Sequence, residues 1–424
     1  MCGIVGYAGK LGAVNAVIDG LRALEYRGYD SAGITFINAG GMKTKKQVGR
    51  VQVLEDQLQD TLANDSSGLA IGHTRWATHG APTTINAHPH YNQSKNISVV
   101  HNGIIENYLD IKNKLTNHGY RFLSETDTEV IPHLIDYYYK KSGNFESAFI
   151  QAIKQLEGAY AIAAIYSEDP NKIYAAKLSS PLIIGVTKGA HIIASDPTAV
   201  VDKTKNIVYL DDYEMAVVDP KKIKLKNFQK SQEIDRKAEE IKIDHQQSTL
   251  NGYKHFMIKE IHEAPQTIQS AIRGRVRLES STIKLGGLES VAQELKYIER
   301  IIIVACGTSY YAGMVGEYLI EDIAGIPVEV QLASEFKYKQ EPYSRSTAIL
   351  AISQSGETAD TIAALKKVEG YGMLRLGIVN AVGSTIARLT DAGVYCHAGP
   401  EKSVASTKAF IAVSYTHLTL PTKA

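Results

Sequence analysis

The order of strands and helices changes once along this chain, and this change constrains the fold more than any other sequence feature. Up to residue 218, short strands rich in β-branched residues flank separate groups of helices. Beyond residue 295, three strand–loop–helix units follow one another, with strands at Arg300–Ala305, Thr347–Ser353 and Leu374–Asn380. The first arrangement predicts layered α+β structure, and the second predicts a doubly wound parallel sheet.

These patterns divide the chain into two expected domains. We expect the first domain over residues 1–220 and the second over residues 253–411. Residues 221–252 are rich in lysine and poor in large apolar side chains, which is typical of a polar linker. A basic binding tract is the alternative for this stretch, but acidic residues interrupt it and favour a solvated surface. Residues 412–424 are expected to be a tail outside the second domain.

The charge balance excludes several classes of partner. Lys plus Arg number 46 and Asp plus Glu number 45, so no net field attracts nucleic acid or an anionic membrane. The longest apolar runs, at 159–165 and 301–305, fall far short of the roughly 20 residues that span a bilayer. Three scattered cysteines and an N-terminus without a secretory signal predict a cytoplasmic protein.

Cys2 is the first candidate catalytic residue. Methionine before a small residue is normally removed, and Cys2 would then carry a thiol and an α-amine together. The amine has a pKa of about 7.7–8.0, so it can act as the base for its own nucleophile. The alternative is a small hydrophobic residue in an edge strand.

Asn102 and Gly103 follow a predicted strand at Ile97–His101. The Asn102 side-chain amide and the Gly103 backbone N–H could together stabilise the oxyanion of a tetrahedral intermediate. The alternative is an ordinary Asn-Gly turn, which this dipeptide favours.

Arg75 and Asp127 match the two charged ends of an amino acid. Arginine grips a carboxylate through two parallel hydrogen bonds, and an aspartate can hold an ammonium group. Thr126 and Glu129 offer another interpretation of the second segment, as a capping box for the helix that follows.

Five histidines between residues 73 and 101 raise the possibility of a zinc site. Their spacing fits no compact ligand pair, and neighbouring Cys or carboxylate ligands are missing from the sequence. We therefore expect turn and supporting roles and no metal or other cofactor. The residues are His73, His79, His88, His90 and His101.

Two polar loops follow strands of the predicted parallel sheet. Thr308-Ser309 and Ser353–Thr358 place hydroxyl and backbone N–H donors at the start of helices, where phosphates bind. For either loop alone, simple helix capping is the alternative.

Six segments of the first domain resemble one known family in order and spacing. The resemblance is to the glutaminase domain of the glutamine–fructose-6-phosphate aminotransferase (isomerizing) family. The segments are Met1–Gly6, Leu24–Gly33, His73–Gly80, Asn86–His90, Val99–Asn107 and Ser124–Val130.

The resemblance implies an N-terminal-nucleophile fold, an αββα sandwich, followed by a three-layer αβα sugar-isomerase (SIS) lobe with a parallel sheet. It implies Cys2 as nucleophile, with Asn102 and Gly103 as the oxyanion hole. It also implies that Trp76 gates a passage for ammonia beside the glutamine. The residues implied around glutamine are Arg75, Trp76, Thr78, His79 and Asp127.

In the second domain the resemblance implies a sugar-phosphate pocket formed by both polar loops and by a segment near residue 405. The implied residues are Cys306, Gly307, Thr308, Ser309, Ser353, Gln354, Ser355, Thr358, Val404 and Ser406.

The implied substrates are L-glutamine and fructose 6-phosphate, without a cofactor, and the implied full-length form is a homo-oligomer, specifically a homodimer. The resemblance covers residues up to about 410, and 413–424 are unlike the family. We therefore expect a truncated chain that retains only the glutaminase half. Alternatives are a related amidotransferase with another acceptor, and a sugar-phosphate-binding regulator.

Overall fold

The computed structural model describes residues 2–76, 80–240, 250–277, 282–340 and 342–419. The chain forms two compact units, Met1–Ile243 and Asp244–Ala424. None of the helices in the described ranges is both long enough and apolar enough to cross a bilayer.

The first unit contains two antiparallel sheets and two groups of helices. Its strands are β1 (Gly3–Ala8), β2 (Ser31–Asn38), β3 (Gly41–Val48), β4 (Leu69–Arg75), β5 (His90–Tyr91), β6 (Ile97–Ile105), β7 (Gly158–Tyr166), β8 (Ile173–Leu178), β9 (Ile183–Thr187), β10 (Ala190–Ala194), β11 (Asn206–Tyr209), β12 (Glu214–Val218), β13 (Ile223–Asn227), β14 (Gln232–Ile234) and β15 (Glu239–Glu240). Its helices are α1 (Ala13–Leu24), α2 (Val51–Asp56), α3 (Gln59–Ala63), α4 (Tyr108–Asn117), α5 (Val130–Ser142) and α6 (Phe145–Ile153), with short 3₁₀ helices at Glu25–Arg27, Asp127–Glu129 and Pro197–Ala199.

The two sheets pack face to face between the helices. Within the described residues the first sheet has the strand order β15-β11-β9-β10-β1-β4-β2-β3, and the second has the order β14-β13-β12-β8-β7-β6-β5. Ile4 and Ile71 from the first sheet pack against Val100 and Ile165 from the second in an inner core. Separate cores join α1 and α2 to the first sheet and α4, α5 and α6 to the second. The predicted αββα sandwich is confirmed.

Residues 221–240 belong to these sheets, so the linker prediction for 221–252 is wrong over this part. β13 pairs with β12 and β14, and β15 pairs with β11 at the end of the first sheet. Leu225 is buried while its neighbours Lys224 and Lys226 are half-buried. Strands near a sheet edge carry many lysines because charged side chains discourage edge-to-edge association. That composition resembles a linker.

The second unit is built around a five-stranded parallel sheet. The five strands of this sheet are β18 (Arg300–Ala305), β19 (Val328–Leu332), β20 (Thr347–Ser353), β21 (Leu374–Val379) and β22 (Ala392–Tyr395), and the unit also contains a separate antiparallel pair, β16 (Val276–Arg277) and β17 (Thr282–Ile283). Its helices are α7 (Phe256–His262), α8 (Ala264–Ile272), α9 (Ala292–Leu295), α10 (Thr308–Ala324), α11 (Ala333–Phe336), α12 (Ala359–Lys367), α13 (Thr385–Leu389) and α14 (Lys408–His417), with a 3₁₀ helix at Gly286–Val291.

The parallel sheet is covered on both faces. Its order is β19-β18-β20-β21-β22, and every pairing within it is parallel. Ile303 on one face packs with residues of α8, α10 and α14, and Ile302 on the other packs with residues of α11, α12 and α13. The predicted three-layer αβα lobe is confirmed.

Helix α14 extends past the residue where the second domain was expected to end. Ala412 and Val413 belong to the core beneath the sheet, and a Cβ added at Gly316 of α10 would meet the His417 ring at 2.7 Å. Residues 412–417 therefore form part of the packed unit. The expected domain boundary at residue 411 is therefore wrong, because it falls inside α14, a helix with buried side chains on both sides of that residue.

We predict that Val413→Ala destabilises the second unit by about 1–3 kcal/mol, because it removes buried methyl groups from a packed core. Hydrogen–deuterium exchange of peptides from β18 and β20 measures the loss as faster opening. Leu418→Ala, at a side chain that is 46% exposed, is the matched control and should cost less than about 1 kcal/mol. Equal protection in wild type and Val413→Ala would contradict the assignment of this helix to the core.

Candidate functional site

Cys2 lies at the beginning of β1, beside the end of β4. β1 and β4 are antiparallel, with Gly3 opposite Thr74, so Cys2, which immediately precedes β1, lies beside Arg75 at the end of β4. The Trp76 N–H donates a hydrogen bond to Cys2 Sγ at 3.3 Å, and the thiol contacts the Trp76 carbonyl oxygen at 3.6 Å. The thiol of Cys2 is thus held by the backbone that follows β4.

Asn102 reaches Cys2 from the opposite sheet. It lies on β6, and its Nδ2 donates to the Cys2 carbonyl oxygen at 3.0 Å. The alternation of side chains along a strand places Asn102 on the same face as Val100, which belongs to the inner core. The side-chain amide therefore connects the two sheets at the residue that carries the thiol.

Gly103 lies within a strand, so the Asn-Gly turn interpretation is wrong. β6 continues to Ile105 and pairs with β7, with Gly103 opposite Tyr160. The φ angle of Gly103 is +131°, and an added Cβ would lie 1.9 Å from the Ala159 carbonyl oxygen. Only glycine fits this close approach of two backbones, and Gly103 itself is exposed.

Arg75 ends β4 and is almost completely buried. Its two Nη atoms donate to the carbonyl oxygens of Gly80 and Ala81 at 3.1 and 3.2 Å. Burial lowers the pKa of Arg75, and the nearby ionisable groups of Cys2, Asp30 and Asp127 act in the opposite direction. The Trp76 ring packs edge-on against Tyr29, with 5.4 Å between ring centres. Thr78 and His79 lie outside the described residues.

Asp127 is held at the end of β6. Its Oδ2 accepts a hydrogen bond from the Ile105 backbone N–H at 2.7 Å, and the residue is buried. The capping-box interpretation is wrong in its partners. The Glu129 carboxylate accepts from the Leu123 N–H at 2.9 Å and from the neighbouring Ser124 N–H, and no side-chain capping bond forms at Thr126.

Four buried histidines surround this junction between the sheets. His88 Nε2 and His101 Nδ1 each lie 2.9 Å from Thr128 Oγ1, and the rings of His73 and His88 stack with 4.1 Å between centres. Burial lowers the pKa of His73 to about 3 and also lowers the pKa values of His88, His90 and His101. The rings are therefore neutral around pH 7.

Sequence reasoning did not connect His73 with the catalytic candidates. Its Nε2 lies 2.9 Å from Asn102 Oδ1 and 3.0 Å from the His101 carbonyl oxygen. The available signal was the two-residue spacing of Ile71, His73 and Arg75, which places all three on one face of β4. The described residues contain no group of three or more His, Cys, Asp or Glu arranged to hold a metal.

The two polar loops of the second unit follow β18 and β20, which are adjacent parallel strands. When the five strands are numbered in chain order, their order in the sheet is 2-1-3-4-5. The direction in which successive strands are added therefore reverses between β18 and β20. Ligands of doubly wound sheets bind in the crevice at this switch point, beyond the carboxyl ends of the strands. The topology therefore brings Cys306–Ser309 and Ser353–Thr358 to one edge.

The loop after β20 is held by its own hydroxyl groups. Ser353 Oγ accepts from the Gly356 N–H at 2.9 Å and lies 3.2 Å from Thr358 Oγ1, and Ser355 Oγ accepts from the Glu357 N–H at 3.2 Å. Thr358 precedes α12 but makes no side-chain capping bond to it. The capping alternative is therefore wrong for this hydroxyl. Gln354 is half-buried in the same loop.

The loop after β18 begins with a thiol that the protein does not activate. Burial raises the pKa of Cys306, as it raises the pKa of Cys396 to about 12. Gly307 precedes α10 with a φ of +57°, and Thr308 and Ser309 form the first turn of that helix. The helix cap is the glycine, so the Thr308 hydroxyl does not cap the helix.

Val404 and Ser406 lie in the segment before α14. The Ser406 hydroxyl donates to the Glu401 carboxylate, which also accepts from the backbone N–H groups of Thr407 and Lys408. Val404 is 77% exposed. In this structure Ser406 therefore helps to anchor the start of α14.

Comparison with known proteins assigns both units. The Glutamine amidotransferase domain family matches residues 73–202, and the SIS domain family matches residues 294–418. The glutamine–fructose-6-phosphate aminotransferase (isomerizing) of Chlorobaculum tepidum is 47% identical over 97% of this chain and 67% of its own length. The chain belongs to the glutamine–fructose-6-phosphate aminotransferase (isomerizing) family.

Other aminotransferases of this family are similarly close to the chain in sequence. Those of Clostridium acetobutylicum and Clostridium tetani are 45% and 48% identical over 97% of this chain. The chain spans about two thirds of the length of these relatives, 66% in both cases. The SIS match reaches residue 418 and so includes all of α14, beyond the residue at which the sequence resemblance to the aminotransferases was expected to stop.

We predict that acid destabilises the first unit through its buried histidines. Their folded pKa values lie below the unfolded value of about 6.5, so the unfolded chain binds more protons as the pH falls below about 6.5. Stability should then fall by up to about 1.4 kcal/mol per pH unit for each histidine. Urea unfolding followed by the fluorescence of Trp76, the single tryptophan, reports on this unit.

His88→Gln removes one of these groups, so the slope of stability against pH between about pH 6.5 and 5 should decrease by roughly one histidine's share. The slope is the decisive quantity, because the substitution can also change stability at every pH. An unchanged slope would show that His88 does not titrate on unfolding.

Proposed function

We propose that the first unit hydrolyses L-glutamine at Cys2. The observation that carries this proposal is the contact between Cys2 and Asn102, which come from opposite sheets. Asn102 Nδ2 lies 3.0 Å from the Cys2 carbonyl oxygen, and the Trp76 N–H donates to the Cys2 sulfur. A thiol, an amide donor and a glycine backbone in one place are the groups that acyl transfer requires.

The reaction begins at the thiol. When Met1 is removed, the α-amine of Cys2 takes the thiol proton, and the sulfur attacks the side-chain amide carbon of glutamine. The Trp76 N–H donates to the sulfur and so supports its negative charge. The oxygen of the tetrahedral intermediate then receives hydrogen bonds from Asn102 Nδ2 and the Gly103 N–H.

The intermediate collapses to a thioester. The protonated amine returns its proton to the leaving nitrogen, and ammonia departs. Water, deprotonated by the same amine, attacks the thioester carbon, glutamate leaves, and the thiol regains its proton. Every proton taken from a nucleophile is thus returned within one catalytic cycle.

Arg75 and Asp127 are proposed to position the ends of glutamine. Asp127 is buried and accepts a hydrogen bond from the N–H of Ile105, which ends β6 two residues beyond Gly103, and its carboxylate is proposed to face the substrate ammonium group. Arg75, whose Nη atoms donate to the carbonyl oxygens of Gly80 and Ala81, is proposed to bind the substrate carboxylate. Trp76, Thr78 and His79 are proposed to complete this pocket, with Trp76 controlling the loss of ammonia.

We propose that the second unit binds fructose 6-phosphate at its switch point. The support is the placement of both polar loops beyond adjacent parallel strands, with backbone N–H groups and hydroxyls at helix starts. Ammonia from glutamine would then convert this sugar to glucosamine 6-phosphate. The proposed phosphate-binding residues are Cys306, Gly307, Thr308, Ser309, Ser353, Gln354, Ser355, Thr358, Val404 and Ser406.

We predict that Cys2→Ser lowers the kcat for glutamate release by about 10³-fold or more, because a serine hydroxyl is a far weaker nucleophile near neutral pH. Glutamate and glucosamine 6-phosphate are measured separately in one reaction containing glutamine and fructose 6-phosphate. We expect glutamate with or without the sugar, because every group proposed for hydrolysis lies between Cys2 and Asp127.

Cys396→Ser is the matched control, since this thiol is buried in the second unit. It should leave glutamate release nearly unchanged. Full activity in Cys2→Ser would overturn the assignment of the nucleophile. A wild-type chain that binds the sugar but releases no glutamate would favour the sugar-phosphate-binding regulator instead.

We predict that Thr308→Val weakens fructose 6-phosphate binding about 10-fold or more, because it removes one hydroxyl donor to a charged phosphate. Isothermal titration calorimetry measures the change in Kd. Thr385→Val is the matched control: Thr385 is also half-buried and also begins a helix, but it follows β21, away from the switch point. Equal losses in the two variants would contradict this location for the phosphate.

A further inference from the structure

We propose that His73 is a positioning residue that fixes which end of the Asn102 side-chain amide faces Cys2. The inference rests on the proposed glutaminase function and adds to it a residue that does not touch the substrate. It explains how the proposed oxyanion hole keeps a donor, and not an acceptor, beside the nucleophile.

His73 is built into the centre of the first sheet. β4 lies between β1 and β2, and His73 is paired with Ile4 on one side and Gly33 on the other. The residue is fully buried, and its Nε2 reaches two oxygens that belong to β6 of the second sheet. The ring therefore crosses between the sheets next to Cys2.

The hydrogen atom on His73 Nε2 is determined by a backbone carbonyl. The His101 carbonyl oxygen lies 3.0 Å from Nε2 and can only accept a hydrogen bond, so Nε2 must carry the hydrogen. Asn102 Oδ1 lies 2.9 Å from the same nitrogen and shares this donor. The Asn102 oxygen thus faces His73, and its NH₂ group faces Cys2.

The other end of this chain of hydrogen bonds is determined in the same way. The Cys2 carbonyl oxygen also can only accept, and it lies 3.0 Å from Asn102 Nδ2. A flipped amide would place Oδ1 against the Cys2 carbonyl oxygen and the NH₂ group against the Nε2 hydrogen of His73. Both contacts would be repulsive, so two backbone carbonyls hold the orientation with His73 between them.

The His73 ring remains neutral and cannot turn easily. Burial lowers its pKa to about 3, so the ring keeps a single hydrogen at neutral pH. The His88 ring stacks on it with 4.1 Å between centres. His73 therefore supplies a fixed donor and does not act as a proton carrier in the reaction.

The amide of Asn102 has two N–H donors, and only one of them is directed at the Cys2 carbonyl. The second can then stabilise the substrate oxygen. If His73 no longer sets the orientation, the amide oxygen can turn toward that site. Loss of His73 should therefore resemble loss of an oxyanion-hole donor, with kcat reduced by about 10²–10³-fold and KM nearly unchanged.

Two substitutions at the same position separate donation from packing. His73→Gln places an amide nitrogen close to the position of Nε2 and should preserve much of the kcat. His73→Asn places its nitrogen near the position of Nδ1, too far from Asn102, and should show the full loss. Steady-state glutamate release gives both values, and thermal unfolding shows whether each variant is folded.

His90→Gln is the matched control. It lies in the same buried cluster, but its Nε2 lies 3.0 Å from Thr126 Oγ1 and its ring packs edge-on against His88. It should change stability while kcat stays within about 3-fold of wild type, because its hydrogen bond is made outside the His73–Asn102 pair. An equal loss of kcat in His90→Gln and His73→Asn would overturn the positioning role.

A double-mutant cycle tests whether His73 acts through Asn102. Asn102→Ala should lower kcat by about 10²–10³-fold, and adding His73→Asn to it should cause no further loss. Multiplicative losses would show that His73 acts by another route, and full activity in His73→Asn would overturn the inference directly.

Nitrogen-15 NMR of the His73 ring provides a test that does not depend on activity. We expect a neutral ring with its hydrogen on Nε2 between about pH 6 and 8, since its pKa lies far below this range. A hydrogen on Nδ1, or a charged ring, would overturn the inference. If the wild-type chain releases no glutamate, the proposed function fails, and the NMR result still decides the orientation of Asn102.

Discussion

The hydrogen bond from Asn102 to the Cys2 carbonyl is the interaction on which the candidate active site depends. It joins two sheets whose inner faces also meet through apolar side chains such as Ile4 and Val100 and through the hydrogen bonds of His73. Inner faces of packed sheets are about 10 Å apart, so a direct polar bridge requires that both strands are held in register. Gly103 contributes to this, because it allows β6 and β7 to approach where a side chain would collide.

Burial accounts for much of the electrostatic character of the first unit. It keeps His73 and His88 neutral. A neutral imidazole has one donor and one acceptor nitrogen, so the position of its single hydrogen determines which partners it can bind, whereas both nitrogens of a charged ring donate. The same effect makes Cys306 and Cys396 poor nucleophiles. Cys2 differs from these two thiols in the Trp76 N–H on its sulfur and the Asn102 amide on its carbonyl oxygen, and not in burial alone, since Cys306 is also half-buried.

The two units use different backbone geometries for related tasks. In the first, an antiparallel strand presents Gly103 and the neighbouring amide beside a thiol. In the second, two parallel strands end at a switch point beside helix starts, where we propose that the phosphate binds. Membership of the aminotransferase family links the two tasks, since its relatives are named for a reaction that uses both glutamine and fructose 6-phosphate.

The sequence by itself determined the fold class, the three strand–loop–helix units of the second domain, and the candidate residues Cys2 and Asn102, because periodicity and local motifs depend on neighbours along the chain. It missed the lysine-rich strand Gly41–Val48 and placed a linker where β13 forms, since strands near a sheet edge bury too few apolar side chains to show a pattern. Only the tertiary structure could decide the partner of His73. That contact joins residues 29 positions apart on different sheets. Which group donates in it depends on the positions of backbone carbonyls, and these cannot be predicted from the pattern of side chains along the sequence.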